Sequence, residues 1–274
     1  MPEKSISIIG LGWLGLPLAK QLLVEDFRVK GSTTSVEKAA LLRQNGIETC
    51  SLQLTPEPVG DLTQLLQTDT LIINVPPKAG KLGEDFHPTQ VNSLTDAIRQ
   101  SSIKHIIYVS STSVYPELNR IIVEQDVTEL QQSASQGITK AEQLVQSLTP
   151  KRLVTILRCG GLMGYDRIPG KYIAGRTVDS GNVPVNYLHR DDAVGILTAI
   201  IRQKISGTFN AVAPEHPTRE AIYRKSCADF GYELPTFIIP ADPVPYKVIS
   251  VQKLIQETQY QFRYANPLDF FYHL

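Results

Sequence analysis

Cysteine is scarce in this 274-residue chain: Cys50, Cys159 and Cys227 are odd in number, widely spaced and without a C-x-x-C pair. That argues against a disulfide framework and a cysteine-based zinc cluster, and it fits a reducing compartment such as the cytoplasm. Net charge is missing too. Lys+Arg and Asp+Glu each number 27, so the formal charge is zero, and no basic field is present to hold nucleic acid or an anionic membrane. No apolar run approaches the roughly 20 residues that a bilayer-spanning helix needs. The opening MPEKSISIIG carries one Lys, then a short apolar run that meets glycine. It reads as a first strand and not as a signal peptide. His87, His105 and His216 have no Cys or carboxylate partners at ligand spacing, so no metal site is expected. What is left is an ordinary globular composition, long enough to bury a core without staples, in a monomer or homodimer.

The first half alternates short β-branched runs with amphipathic stretches. Strands are expected at Ser5–Ile9, Arg28–Thr33, Ile47–Leu52, Thr70–Val75, His105–Ser110 and Leu153–Cys159. Helices are expected at Trp13–Val24, Val36–Asn45, Thr89–Ser101 and Ser135–Leu148. Continuous apolar strands such as LIINV and HIIYVS suit a parallel sheet covered on both faces. Their alternation with helices implies right-handed crossovers and a doubly wound α/β sheet of Rossmann type. After Gly160 the texture changes, and Gly, Pro and Tyr become frequent. Residues 1–160 are therefore read as one domain, and 161–274 as a smaller substrate lobe interleaved with the end of the sheet. The clear pieces of that lobe are helices at Asp191–Gln203 and Thr218–Phe230 and a strand at Thr208–Val212.

The sharpest local signal is IIGLGWLGLPLAKQLL, in which Gly10, Gly12 and Gly15 form G-x-G-x-x-G between a strand and a helix. The first glycine permits a tight turn, the second lets backbone approach a pyrophosphate, and the third lets the helix pack on the strand. Amides at the helix start, from Gly12, Trp13, Leu14 and Gly15, would then face the phosphates of NAD or NADP. NAD sites usually place a carboxylate about 20 residues on, against the ribose 2′-OH. Here the second strand ends KGSTTSVEK, with no carboxylate before Glu37. Ser32, Thr33 and Thr34 supply hydroxyls and Lys38 a positive charge, a set suited to a 2′-phosphate, so NADP is preferred over NAD. The same residues also cap a helix, through Ser35 or Thr34.

HIIYVSSTSVYP, LRCGGLMGYDR, NYLHRDDAVGIL and GTFNAVAPEHPTREAIYRKSCADFG follow in that order. With GLGWLG they make the chain resemble the extended or atypical short-chain dehydrogenase/reductases, the NAD(P)-dependent epimerase/dehydratase group. The resemblance spans nearly the whole chain, including the tail VISVQKLIQETQYQFRYANPLDFF. It implies that Asn74, Val75 and Pro76, at the fourth strand's end, line the adenosine side. It implies a Ser at the fifth strand's end that binds the substrate oxygen, a Tyr that exchanges the proton, and a Lys four residues later that holds the nicotinamide ribose. Four residues before Tyr115, Ser111 matches the hydroxyl. QGITK supplies Lys140, but the tyrosine position is Gln136. An amide donates a hydrogen bond and does not exchange a proton near neutral pH. Tyr165, then Tyr115, are the candidate replacements, and Gln136 and Ser111 would contact the substrate.

Arg167 stands where the group's members hold an anionic nucleotide-sugar tail, and Arg176 could assist. The short stretch between Gly164 and Val185 favours a smaller substrate. His189, Asp191 and Asp192 are read as a strand end followed by an Asp helix cap, not as a catalytic or metal set. A cofactor-binding regulator without turnover is the rival reading, supported by Gln136. A 3-hydroxyacid dehydrogenase also opens I-G-L-G-x-x-G, but its all-helical second domain does not fit the strand-bearing tail.

Overall fold

The computed structural model describes residues 5–77 and 79–274. Eight strands form the main sheet: β1 (Ser5–Ile9), β2 (Arg28–Thr33), β3 (Glu48–Leu54), β4 (Pro58–Gly60), β5 (Thr70–Ile73), β6 (His105–Ser111), β7 (Leu153–Cys159) and β8 (Gly207–Ala211). Their order is β8-β7-β6-β5-β1-β2-β3-β4. Every pairing is parallel except β3 with β4, an antiparallel edge. The doubly wound sheet expected from the apolar runs is present. The chain winds outward from β1 through β2 and β3, then returns to place β5 on β1's other side. The crevice between β1 and β5 is thus the topological switch point, where open α/β sheets bind ligands.

Alternation along the strands divides the core. Ile6, Ile8, Ile72 and Ile107 face one layer, packed with Leu18, Leu22, Ile196 and Ile200 from helices Gly15–Val24 and Arg190–Gln203. Ile9, Leu71, Ile73, Ile106 and Tyr108 face the other, packed with Val91, Leu94, Ile98, Ala141 and Val145 from helices Phe86–Arg99 and Gln136–Gln146. Both faces are covered, which is why these strands read as unbroken apolar runs.

Several boundaries differ from expectation. The first helix begins at Gly15, not Trp13. Residues 12–14 stay a turn. The third strand runs on to Leu54 and the fourth stops at Ile73. Helix Phe86–Arg99 begins a turn earlier than expected, with Pro88 inside its first turn, where an amide has no intrahelical partner to lose. The expected Asp cap near residue 190 is corrected: His189 is the cap, its Nδ1 accepting from the Asp191 N–H at 3.2 Å. Asp192 instead clamps the tail, accepting from Tyr260 Oη at 3.0 Å and from the amides of Arg263 and Tyr264 at 2.7 and 3.0 Å.

Within residues 161–274, β8 returns to the main sheet beside β7. Among the described residues, three two-residue or three-residue strand pairs lie outside it, including Gly161–Met163 with Tyr187–His189 and one that reaches back to Ile121–Ile122 from Val248–Ile249. No helix among the described residues is long and apolar enough to cross a membrane.

Candidate functional site

The site is built around the point where β1 runs out. Gly10 turns the chain at φ +107°, a conformation that L side chains rarely adopt. A Cβ there would strike the Asn74 carbonyl oxygen, and a Cβ on Gly15 would strike the Gly10 carbonyl oxygen. Asn74 closes the same contact, its amide N donating to Ile9 O at 2.9 Å and its Nδ2 to Gly10 O at 3.0 Å. Gly10 and Gly15 are therefore explained by the protein's own packing. Gly12 is not. A Cβ on Gly12 would meet nothing within 4 Å, and its φ is not in the left-handed region. No side chain caps the helix that follows. Leu16 N donates to Gly12 O at 3.1 Å and Pro17 has no N–H, which leaves the Gly15 amide at the helix start for a ligand or solvent. An open glycine beside an uncapped helix start is what a pyrophosphate needs.

The cleft has two halves that share Gly12, Asn74, Val75 and Pro76. One, of about 510 Å³, runs over the ends of β2 and β3 and is bordered by Ser32, Thr33, Thr34, Lys38 and Gln53. No carboxylate borders this half among the described residues. Ser35 caps the next helix by accepting from Lys38 N at 3.1 Å, which leaves Thr34 exposed and uncommitted to that cap. Lys38 Nζ donates to Leu11 O at 2.9 Å, which brings a positive charge against the glycine turn.

The other half, of about 310 Å³, is bordered by Trp13, His87, Tyr108, Ser111, Leu162 and Arg167. Trp13 joins the glycine turn to the C-terminal part of the chain. Its Nε1 donates to Asp166 at 2.7 Å, and the Arg167 guanidinium lies 3.9 Å from its ring centroid. That hydrogen bond, more than the nearby arginines, holds the Asp166 carboxyl below its usual range.

Ser111 Oγ accepts from Ser113 N at 3.1 Å, so its own O–H is left to donate into the cleft. Lys140 Nζ instead reaches Asp85 at 3.0 Å, a pair whose side chains are 42% and 84% exposed. Gln136 is exposed at the first position of its helix. The two tyrosines considered as proton donors are engaged elsewhere. Tyr115 is fully buried, donates to Asn210 Oδ1 at 2.7 Å and accepts from Arg158 at 2.8 Å. Burial pushes its pKa up to about 12. Tyr165 donates to Asp191 at 2.9 Å, packs edge-on against Phe271 and borders neither half of the cleft. The backbone explains why: Tyr165 has φ +53° and its N–H donates to Phe271 O, which draws the ring onto the tail.

Sequence reasoning missed His87 and Tyr108 as cleft residues. His87 sits at the start of helix Phe86–Arg99, and Tyr108 lies three residues before Ser111. The signal was present, since the helix after β5 must start at the ligand end of a parallel sheet. No group of three or more metal-ligating side chains occurs among the described residues.

A nucleotide cleft at the switch point of a doubly wound sheet, entered by an uncapped glycine turn, defines a Rossmann-type dinucleotide-binding protein. Comparison with known proteins agrees. A family model described as NAD(P)H-binding matches residues 10–204, and the chain belongs to that family. Protein YeeZ of Escherichia coli (strain K12) is 32% identical over 269 residues, covering 97% of this chain and 98% of that protein. Among solved structures, UDP-glucuronic acid 4-epimerase from Bacillus cereus, in complex with UDP-glucuronic acid and NAD, matches with a TM-score of 0.77 at 17% identity, covering 97% of this chain and 96% of that one. A UDP-galactose 4-epimerase matches with a TM-score of 0.75 at 14% identity, covering 96% of each chain. The fold is that of the extended short-chain dehydrogenase/reductases of the epimerase/dehydratase group.

Proposed function

We propose that this chain is an NADP-preferring oxidoreductase or epimerase/dehydratase-type enzyme acting on a small carbonyl, hydroxyl or sugar substrate. One observation carries the dinucleotide reading: Gly12 faces open space where neither packing nor backbone angle asks for glycine. Bound there, the dinucleotide supplies two-electron hydride chemistry. The chain's own residues do the rest. Amides from Gly12 to Gly15 receive the pyrophosphate. Asn74 fixes the turn that presents them, and Val75 and Pro76 flank the adenosine. Ser111 donates its free O–H to the substrate oxygen. Lys140 holds the nicotinamide ribose after leaving Asp85, an exposed pair worth about 0–1 kcal/mol and so easily exchanged. Arg167 faces an anionic or polar group of the substrate, and Gln136 donates a hydrogen bond to it. The half-cleft of about 310 Å³ supports a substrate smaller than the UDP-sugars of the epimerase neighbours. The scarcity of cysteine supports a cytoplasmic setting.

The NADP preference is supported by Lys38 and the hydroxyls of Ser32, Thr33 and Thr34 in a half-cleft without a carboxylate. Titration with NADP and NAD, followed by calorimetry and by the fluorescence of Trp13, the single tryptophan, tests both parts. Saturable binding with the lower Kd for NADP is expected. Tighter binding of NAD would overturn the preference, and no response to either would overturn the reading. A second reading, a cofactor-binding regulator without turnover, is favoured by Gln136 and by the engagement of Tyr115 and Tyr165 elsewhere. Substrate-dependent oxidation of NADPH across a carbonyl panel would exclude it.

A further inference from the structure

With Gln136 at the family's tyrosine position, the substrate half of the cleft still borders one phenol, Tyr108. Its hydroxyl lies 2.6 Å from His87 Nε2, and His87 Nδ1 lies 3.3 Å from Gln90 Oε1. The direction of this chain can be read from its far end. Gln90 Nε2 donates to the Leu54 carbonyl at 2.5 Å, so its Oε1 is the acceptor. Nδ1 of His87 must then carry the proton, and Nε2 must be the lone pair. Tyr108 therefore donates to His87. A phenol backed by a neutral imidazole base is a competent proton-exchange pair. Both rings are about 1% exposed, yet both border the same half as Ser111.

We propose that Tyr108, backed by His87, exchanges the substrate proton in place of the missing tyrosine. The assignment rests on the cleft being a nicotinamide-dinucleotide site. In the oxidative direction the substrate O–H proton passes to Tyr108 Oη as the phenol's proton passes to His87 Nε2. The substrate carbon loses hydride, with both electrons, to the oxidised nicotinamide, and the C–O bond becomes a carbonyl. Reduction reverses each transfer and starts from a His87 that has first taken one proton from solvent. The same chain also ties helix Phe86–Arg99 to β6 and the end of β3, so a purely structural role is the alternative to be separated. Before turnover, electrostatics keep the pair neutral. Burial lowers the His87 pKa against the opposing pull of Gln90, and burial, then the Glu142 carboxylate, raises that of Tyr108. Glu142 is itself paired with Arg158 at 2.7 Å.

The test uses wild-type protein with 15N-labelled histidine. Nitrogen shifts of His87 are followed against pH in free protein, with NADP, with NADPH and with 2′,5′-ADP, which fills the adenosine half alone. We expect the Nδ1–H tautomer throughout. We also expect a His87 pKa about half a unit or more lower with NADP than with NADPH, because only the oxidised ring carries a positive charge nearby, and no such lowering with 2′,5′-ADP. An Nε2–H tautomer, or equal values with the two dinucleotides when both bind, would overturn this assignment and leave the cofactor site standing. No saturable binding of either dinucleotide would overturn the site and the pair together. Tyr108→Phe keeps the ring and removes the proton. With phenanthrenequinone as a reactive carbonyl probe, we expect the variant to oxidise NADPH at least tenfold more slowly than wild type, with NADPH affinity within twofold. Equal rates, including none in either protein, would count against it.

Discussion

Alanine at Gly10 and alanine at Gly12 should fail in opposite ways. At Gly10 the new Cβ would overlap the Asn74 carbonyl and force an alanine to φ +107°. A strained backbone of this kind costs about 1–3 kcal/mol, and displacing Asn74 adds about 0.5–1.5 kcal/mol for its bond to Gly10 O. A loss of roughly 3 kcal/mol lowers Tm by about 6–12 °C in a domain of this size class. At Gly12 the Cβ enters open space at an ordinary φ, so stability should change by less than about 1 kcal/mol, and upward if anything. The dinucleotide would feel it. Displacing a pyrophosphate from one or two charge-assisted amide bonds costs about 1.5–3 kcal/mol each, and each 1.4 kcal/mol is roughly tenfold in Kd. Thermal melts and calorimetric titration with NADP, run on both variants, separate the two effects. A Gly12→Ala protein that melts like wild type and binds NADP with unchanged Kd would refute the placement of the phosphates.

Lys38→Ala should weaken NADP binding about tenfold while leaving NAD nearly unchanged, the loss of one charge-assisted contact to a phosphate; equal weakening of both would assign Lys38 to the turn alone. Gln136→Tyr should raise any NADPH-dependent carbonyl reduction, and no change on a responsive substrate would show that Gln136 is out of register with the family tyrosine. Stability should fall as pH drops from 7 toward 5. Burial lowers the pKa of His87, His189 and His216 below the ordinary histidine value of about 6.5, so the unfolded chain takes up protons first and stability rises with pH across that window; a flat Tm from pH 7 to 5 would contradict it. Arg158→Met should destabilise by about 3–5 kcal/mol because it strands Glu142 in the core, and adding Glu142→Gln should restore part of the loss in thermal melts.

The fold was legible because β1, β5, β6 and β7 are buried on both faces. LIINV and HIIYVS cannot be half-exposed strands, and the glycine turn fixed which strand comes first. The two-residue and three-residue strands were not legible. Pairs such as Gly161–Met163 with Tyr187–His189 are held by contacts distant in sequence and carry no period of their own. Capping misled in one place. Two consecutive aspartates look like a helix cap, but His189 takes that role through its ring nitrogen. Asp192 is drawn inward because three donors from residues 260–264 converge on it.

Which of the expected catalytic groups remain available depends on what holds each one. Tyr115 cannot leave its place cheaply. It is locked between Arg158 and Asn210 in a buried set that also includes Glu142 and Glu124, and releasing it would leave buried polar groups unpaired at about 1–3 kcal/mol each. Lys140 is held by an exposed pair worth about 0–1 kcal/mol, so under the proposed function a ribose hydroxyl could displace Asp85 at little cost. Ser111 is oriented by an amide and keeps its proton. On the proposed reading the chain thus retains Ser111 for the substrate and Lys140, which borders neither half of the cleft in this structure, for the ribose, while its expected proton donors are engaged elsewhere. That combination sustains turnover only if an acid already inside the cleft takes over, and Tyr108, with an acceptor nitrogen 2.6 Å away, is the phenol that borders it.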